Sequence, residues 1–231
     1  MIGKHVKMRK FAQICMVLAA FMLLDAVESR TRAADAGGFP QEIDLYDVIL
    51  KYPQPAWISG EVEPTKLLDQ SEFYRDHAGS QFILEQIPKG QNFESWSSLF
   101  AVAAEELGVG KTASMREFIG LAVEQNSLAC AEGGFGVQTL SVTEANALLA
   151  MVCGSTADGP PNVGYGADVG EVSIWRFLIF EDTFVKVFQR WRGASFEADD
   201  RANWPVSEPQ MQEMLRRMAD GIAIQPNNLR R

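Results

Sequence analysis

The stretch that most constrains this chain is residues 171–196, EVSIWRFLIF followed by EDT and then FVKVFQRWRGASF. Two runs rich in β-branched and aromatic residues, joined by a short polar turn, predict a β-hairpin. The first run is apolar on both faces except at Arg176, as expected of a strand with neighbours on both sides. The second alternates Phe184, Lys186, Phe188, Arg190 and Arg192 against Val185, Val187, Gln189 and Trp191, so its two faces meet different surroundings. A chain with this hairpin at its centre is committed to a sheet.

The rest of the pattern extends that sheet. SEFYRDHA and QFILEQIP, separated by Gly79-Ser80, predict a second hairpin, and WSSLFAVAAEEL a further strand. VQTLSV and ANALLAMVCGS read as two more. Met115, Phe118, Ile119, Ala122 and Val123 lie on one face of a helix, and Ser114 with Glu117 forms a capping box at its start. A second helix spans EPQMQEMLRRMADGI, with Met211, Met214, Leu215, Met218 and Ile222 as its stripe and Ser207 and Gln210 as its box. Strands that follow one another through short turns pair antiparallel. The expected fold is therefore α+β, one mostly antiparallel sheet with two amphipathic helices packed on it.

Residues 1–34 stand apart. Lys4, Lys7, Arg9 and Lys10 precede the apolar run FAQICMVLAAFMLL, which is short for a membrane span. This is the pattern of an export signal, with Ala26, Ala33 and Ala34 near its end but no Ala-x-Ala site. An uncleaved N-terminal anchor in the inner membrane is the alternative. Export implies a periplasmic or secreted protein. The segment holds six of the chain's 21 basic and two of its 30 acidic residues, leaving 15 against 28 and a net charge of −13. Such a surface repels nucleic acid, so no nucleic-acid partner is expected. Of the three cysteines, Cys15 leaves with the signal. Cys130 and Cys153 remain as an even pair, expected to form a disulfide in an oxidising compartment, with two buried thiols as the alternative.

Residues 35–68 carry four prolines and read as an irregular lead-in, with IDLYDVIL as one or two helical turns and AWIS as a short strand. Residues 69–225 form the single domain, and 226–231 a flexible tail. The Gly/Pro-rich run 156–170 reads as a long flexible loop.

Several apparent motifs fail on their mechanics. Gly110-Lys111-Thr112 resembles the end of a phosphate-binding loop, but Glu105 stands where the first glycine belongs and Glu106 follows it. Two carboxylates there would repel phosphate, so no nucleotide is expected. GYGADVG, residues 164–170, follows a loop and opens a strand, the reverse of a dinucleotide fingerprint. His77, the only histidine after the signal, sits beside Asp76 in a strand, with no nucleophile motif to serve. Two Cys and one His cannot complete a zinc site. Glu197, Asp199, Asp200 and Asn203 cluster without the spacing of a calcium loop and read as a solvated acidic turn. No metal, no cofactor and no catalytic residue is assigned. The one candidate binding group is Arg190, Trp191 and Arg192, because aromatics and arginines are enriched at protein interfaces.

The order of these elements, with the IPKGQNFESWSSLFAV loop before the first helix and the long hairpin before the last, resembles the PsbP-like sandwich group over about residues 70–224. That resemblance implies an antiparallel sheet between helices and non-enzymatic binding or assembly roles, with no catalytic motif to carry over. The expected function is an exported bacterial envelope protein that acts through a protein partner. A secreted hydrolase using paired carboxylates and a secretion-accessory or toxin-neutralising protein are the alternatives.

Overall fold

The computed structural model describes residues 42–60, 62–108, 113–157 and 169–227. The signal segment, the Gly-Lys-Thr run and most of the 156–170 loop lie outside the described residues. The described part of the chain is α+β, with its strands antiparallel.

Strand β1 (Glu42–Leu45) and β2 (Val48–Lys51) form a hairpin. IDLYDVIL is therefore not helical. Ile43 and Leu45 on one arm and Val48 and Leu50 on the other are buried at every second residue, and Tyr46 turns the corner at φ 53°. The expected strand at AWIS is instead a turn followed by irregular chain, with Ile58 fully buried. A single helical turn, α1 (Pro64–Leu67), leads into the domain.

The main sheet comprises β3 (Ser71–Ala78), β4 (Gln81–Pro88), β5 (Ser98–Glu106), β6 (Phe135–Val142), β7 (Asn146–Cys153), β8 (Val169–Phe180) and β9 (Thr183–Ala194). Their order across the sheet is β3-β4-β5-β9-β8-β7-β6. The 171–196 hairpin forms as expected, with Phe180 opposite Thr183 across Glu181-Asp182. It lies inside the sheet, β9 joining the N-terminal three strands to the rest. Helix α2 (Met115–Leu128) connects β5 to β6, and Ser114 and Glu117 exchange both bonds of a capping box at its start. Helix α3 (Glu208–Asp220) follows β9, and β10 (Ala223–Pro226) follows α3.

β10 changes the expected architecture. It pairs with β2, so the lead-in and the C-terminal end meet in a second, three-stranded sheet, β1-β2-β10. Asn227, assigned to a flexible tail, is buried and donates its backbone N–H to Asp47 O at 2.7 Å.

The main sheet separates two cores, as its side-chain alternation requires. On one face Trp175, Phe177, Phe188, Leu149 and Met151 pack with Met115 and Ala122 of α2. On the other, Phe100, Val102, Ile174, Val187 and Trp191 pack with Met211, Met214 and Met218 of α3 and with the small sheet. Gln189, wholly buried, ties the lead-in to this face. Its amide donates to Ser98 Oγ (2.8 Å) and Leu99 O (3.1 Å), and its Oε1 accepts from Ala56 N–H (3.0 Å).

Candidate functional site

The register of the long hairpin sets Glu171 opposite Arg192, and Arg190 projects from the same face two residues away. Arg190 Nε lies 2.7 Å from Glu171 Oε1, and Arg192 Nη2 lies 3.5 Å from Glu171 Oε2. All three side chains are largely withdrawn from water, at 16%, 6% and 6% exposure for Arg190, Arg192 and Glu171. Arg190 Nη2 also donates to Asn126 Oδ1 of α2 at 3.0 Å. The Arg192 guanidinium stacks 3.6 Å above the Trp96 ring, and that of Arg190 lies 5.6 Å from the Trp175 ring centre. Trp175 in turn stacks on Phe188 at 4.2 Å and donates Nε1–H to Ser173 Oγ. A small, partly open gap of ≈ 10 Å³ borders this cluster.

This arrangement joins the sheet, the loop after β4 and the C-terminal half of α2. It is an ion-pair cluster closed over by aromatics, with its guanidiniums directed at internal partners. Glu85 on β4 belongs to the same face. Burial raises its carboxyl above the usual glutamate range, and the Arg190 charge pulls it only part of the way back.

The binding group expected from the sequence does not survive as a surface. Arg190 and Arg192 turn to the α2 face and are spent on Glu171, Asn126 and Trp96. Trp191 turns to the opposite face and is buried in the α3 core, as strand alternation dictates. The turn is two residues, Glu181-Asp182, rather than the three of EDT, and this register sets Glu171 opposite Arg192.

Cys130 and Cys153 are joined as a disulfide, with Cα atoms 5.6 Å apart. Around it, Ala131 N–H donates to Ser155 O and Ala157 N–H to Ala129 O, so the end of α2 is laced to the chain beyond β7. His77 is exposed on β3. Asp200 caps a short 3-10 turn, accepting from Ala202 N–H and Asn203 Nδ2. Among the described residues, no three His, Cys, Asp or Glu side chains are grouped to hold a metal, and no helix is long and apolar enough to cross a membrane.

Among the described residues β3 and β6 are the outer strands of the main sheet, and they differ sharply. β3 carries Glu72, Arg75 and Asp76, and Glu72 pairs with Lys89 at 3.0 Å. β6, FGVQTLSV, carries no charge and no proline, and leaves Val137, Leu140 and Val142 40–57% exposed.

By fold, the chain is an α+β domain with an antiparallel sheet and two helices packed on it. No family model and no curated protein matches it. Among solved structures it is similar to the Ran-binding protein Mog1p of Saccharomyces cerevisiae, at 13% identity, over 82% of this chain and 96% of that one, with a TM-score of 0.46. The resemblance to the PsbP-like group is corrected: no family model supports it, and Mog1p is a solved structure that this chain is similar to. The Ile-Pro-x-Gly run that suggested it serves a local purpose. Pro88 ends β4 and Gly90 takes φ 83° to turn the chain, a requirement of many antiparallel sheets.

Proposed function

We propose that this chain is an exported, non-enzymatic binding protein of the cell envelope that engages a protein partner through the open edge of β6. The observation that carries this reading is the contrast between the two edges. An unpaired strand edge is a template for another strand, and proteins ordinarily blunt it with charge or proline. β3 is blunted with charged side chains, whereas β6 carries neither charge nor proline and keeps three large apolar side chains in water. Strand addition to such an edge supplies affinity through backbone hydrogen bonds and specificity through alternate side chains. Export rests on the basic and then apolar N-terminal pattern, and the paired cysteines accord with an oxidising compartment.

A photo-crosslinking residue placed in the full chain at Val137, or at His77 on the opposite edge, tests the contact in envelope extract. A discrete adduct from Val137 and none from His77 is expected. Silence at Val137, or equal labelling from both edges, would overturn the reading. Fractionation that leaves the chain in the cytoplasm would overturn the export half of it.

A further inference from the structure

We propose that the strand received by β6 is an uncharged extended segment bracketed by lysine or arginine, not a second copy of this chain. The inference rests on the edge reading above and names the chemistry of the occupant.

The backbone sets the length. Gly154 N–H donates to Gly134 O at 2.8 Å, which turns the Gly134 carbonyl toward β7. Antiparallel alternation then turns the peptide groups of Phe135, Val137 and Thr139 to the open side. A register shift between Thr139 and Ser141 ends the regular ladder. A bulge of this kind bends the strand, so a straight partner meets Phe135 to Thr139, a run of about five residues. Its core has no charge to satisfy, because β6 offers only Phe, Gly, Val, Gln, Thr, Leu and Ser.

Charge sets the ends. From Glu117 to Trp175 the sequence contains no Lys, Arg or His and seven acids. Four of these, Glu117, Glu124, Glu132 and Glu144, are exposed. Glu132 and Glu144 bracket β6 on either side. A two-fold pairing of β6 with β6 of another copy, centred near Gln138, brings Glu132 of one copy to Glu144 of the other at both ends. Like charges so placed oppose the pairing. Cations flanking a neutral core meet the same glutamates favourably, and their attraction weakens as salt screens it.

Two synthetic peptides with one Thr-Val-Thr-Val-Thr-Val core, flanked by Lys-Lys or by Glu-Glu, test the proposal on the full chain at low salt. The lysine-flanked peptide is expected to bind about tenfold tighter or more, with the ratio shrinking as salt is added. Amide resonance changes are expected to centre on Phe135 to Thr139. The charge reversal Glu132→Lys with Glu144→Lys, at two exposed positions, should invert the preference. Thr139→Pro, which removes an outward N–H, should abolish binding while leaving the fold intact. Binding of both peptides at β6 with equal affinity would overturn the basic partner and leave the edge reading standing. A dimer of the chain that Thr139→Pro dissociates would assign the edge to a second copy and overturn the proposal. No binding by either peptide would also overturn it, and the crosslink from Val137 then decides whether the edge reading falls with it.

Discussion

Arg190 Nε and Glu171 Oε1 stand 2.7 Å apart beneath the C-terminal half of α2, in a setting that leaves Glu171 only 6% exposed. Arg192 approaches the same carboxylate from the other side. One acid therefore pairs with two withdrawn guanidiniums. Removing it is costly, because an uncompensated buried charge costs more than an ion pair gains. Glu171→Ala is expected to destabilise the domain by about 3–5 kcal/mol. Arg190→Met should cost less, since Arg192 remains to pair with Glu171. Urea unfolding of both variants measures this. A loss below about 1 kcal/mol for Glu171→Ala would show that water already reaches the cluster.

Glu85 provides a pH signature. Its carboxyl is raised in the folded state, chiefly by burial. The folded protein then binds a proton more readily than the unfolded chain at this position. The cost of ionising Glu85 is absent below the ordinary glutamate pKa, grows as pH rises through the interval up to the raised value, and is complete above it. Glu85→Gln should therefore stabilise the protein near neutrality and leave it unchanged in acid. Thermal melts of the two proteins from acid to neutral pH should diverge as pH rises. Curves that stay parallel would mean that Glu85 is not desolvated.

The long hairpin was legible because its signal is local: alternation over two long runs around a short polar turn marks both strands, whereas the exact turn, Glu181-Asp182, and hence the register were not fixed by it. Helix α2 was equally legible, since Ser114 and Glu117 announce its start. The small sheet was not. β1 and β2 hold four residues each, too few for period two to be told from a helical turn, and the turn falls at Tyr46, which φ 53° does not favour. Their third strand, β10, lies at the other end of the chain and ends in Pro226, so nothing local indicates the pairing. The site was half legible. Alternation placed Arg190 and Arg192 on one face and Trp191 on the other, but which face is covered depends on where α2 packs, a tertiary outcome. Glu85 and Asn126 reach the cluster from other elements and leave no trace in their local sequence.

Phe196 packs against two glycines, and this contact is sensitive to a single methyl group. A Cβ at Gly154 would come within 2.3 Å of Phe196 O, and one at Gly170 within 2.4 Å of the Phe196 ring. Phe196 N–H also donates to Gly154 O at 2.8 Å. At Gly154 the obstacle is backbone, which cannot rotate aside. Gly154→Ala is expected to cost about 2–3 kcal/mol through forced displacement of the chain after β9. Gly170→Ala should cost less: its nearest obstacle is a ring that can shift, and the backbone atom it also meets, Gly154 O at 2.8 Å, is less closely approached. Equilibrium unfolding ranks the two, and a reversed order would mean that the ring, not the chain, is the fixed element.

The disulfide fastens the last turn of α2 to the end of β7, twenty-three residues further along the chain. A cross-link over such a loop restricts the unfolded chain and contributes about 3 kcal/mol. Replacing both cysteines with serine should lower the stability by that order, seen as a fall in Tm of several degrees. The effect should also be uneven in space. The Ala131–Ser155 and Ala157–Ala129 backbone bonds flank the link, while the capping box at Ser114 lies at the far end of the helix. Amide exchange in the double variant should therefore accelerate around Ala129 to Ala131 before it does at Glu117. Titration of the unfolded, unreduced native protein should find neither Cys130 nor Cys153 free. Two titratable thiols from these positions would refute the bond, and uniform acceleration along α2 would show that the helix depends on the link as a whole rather than at its end.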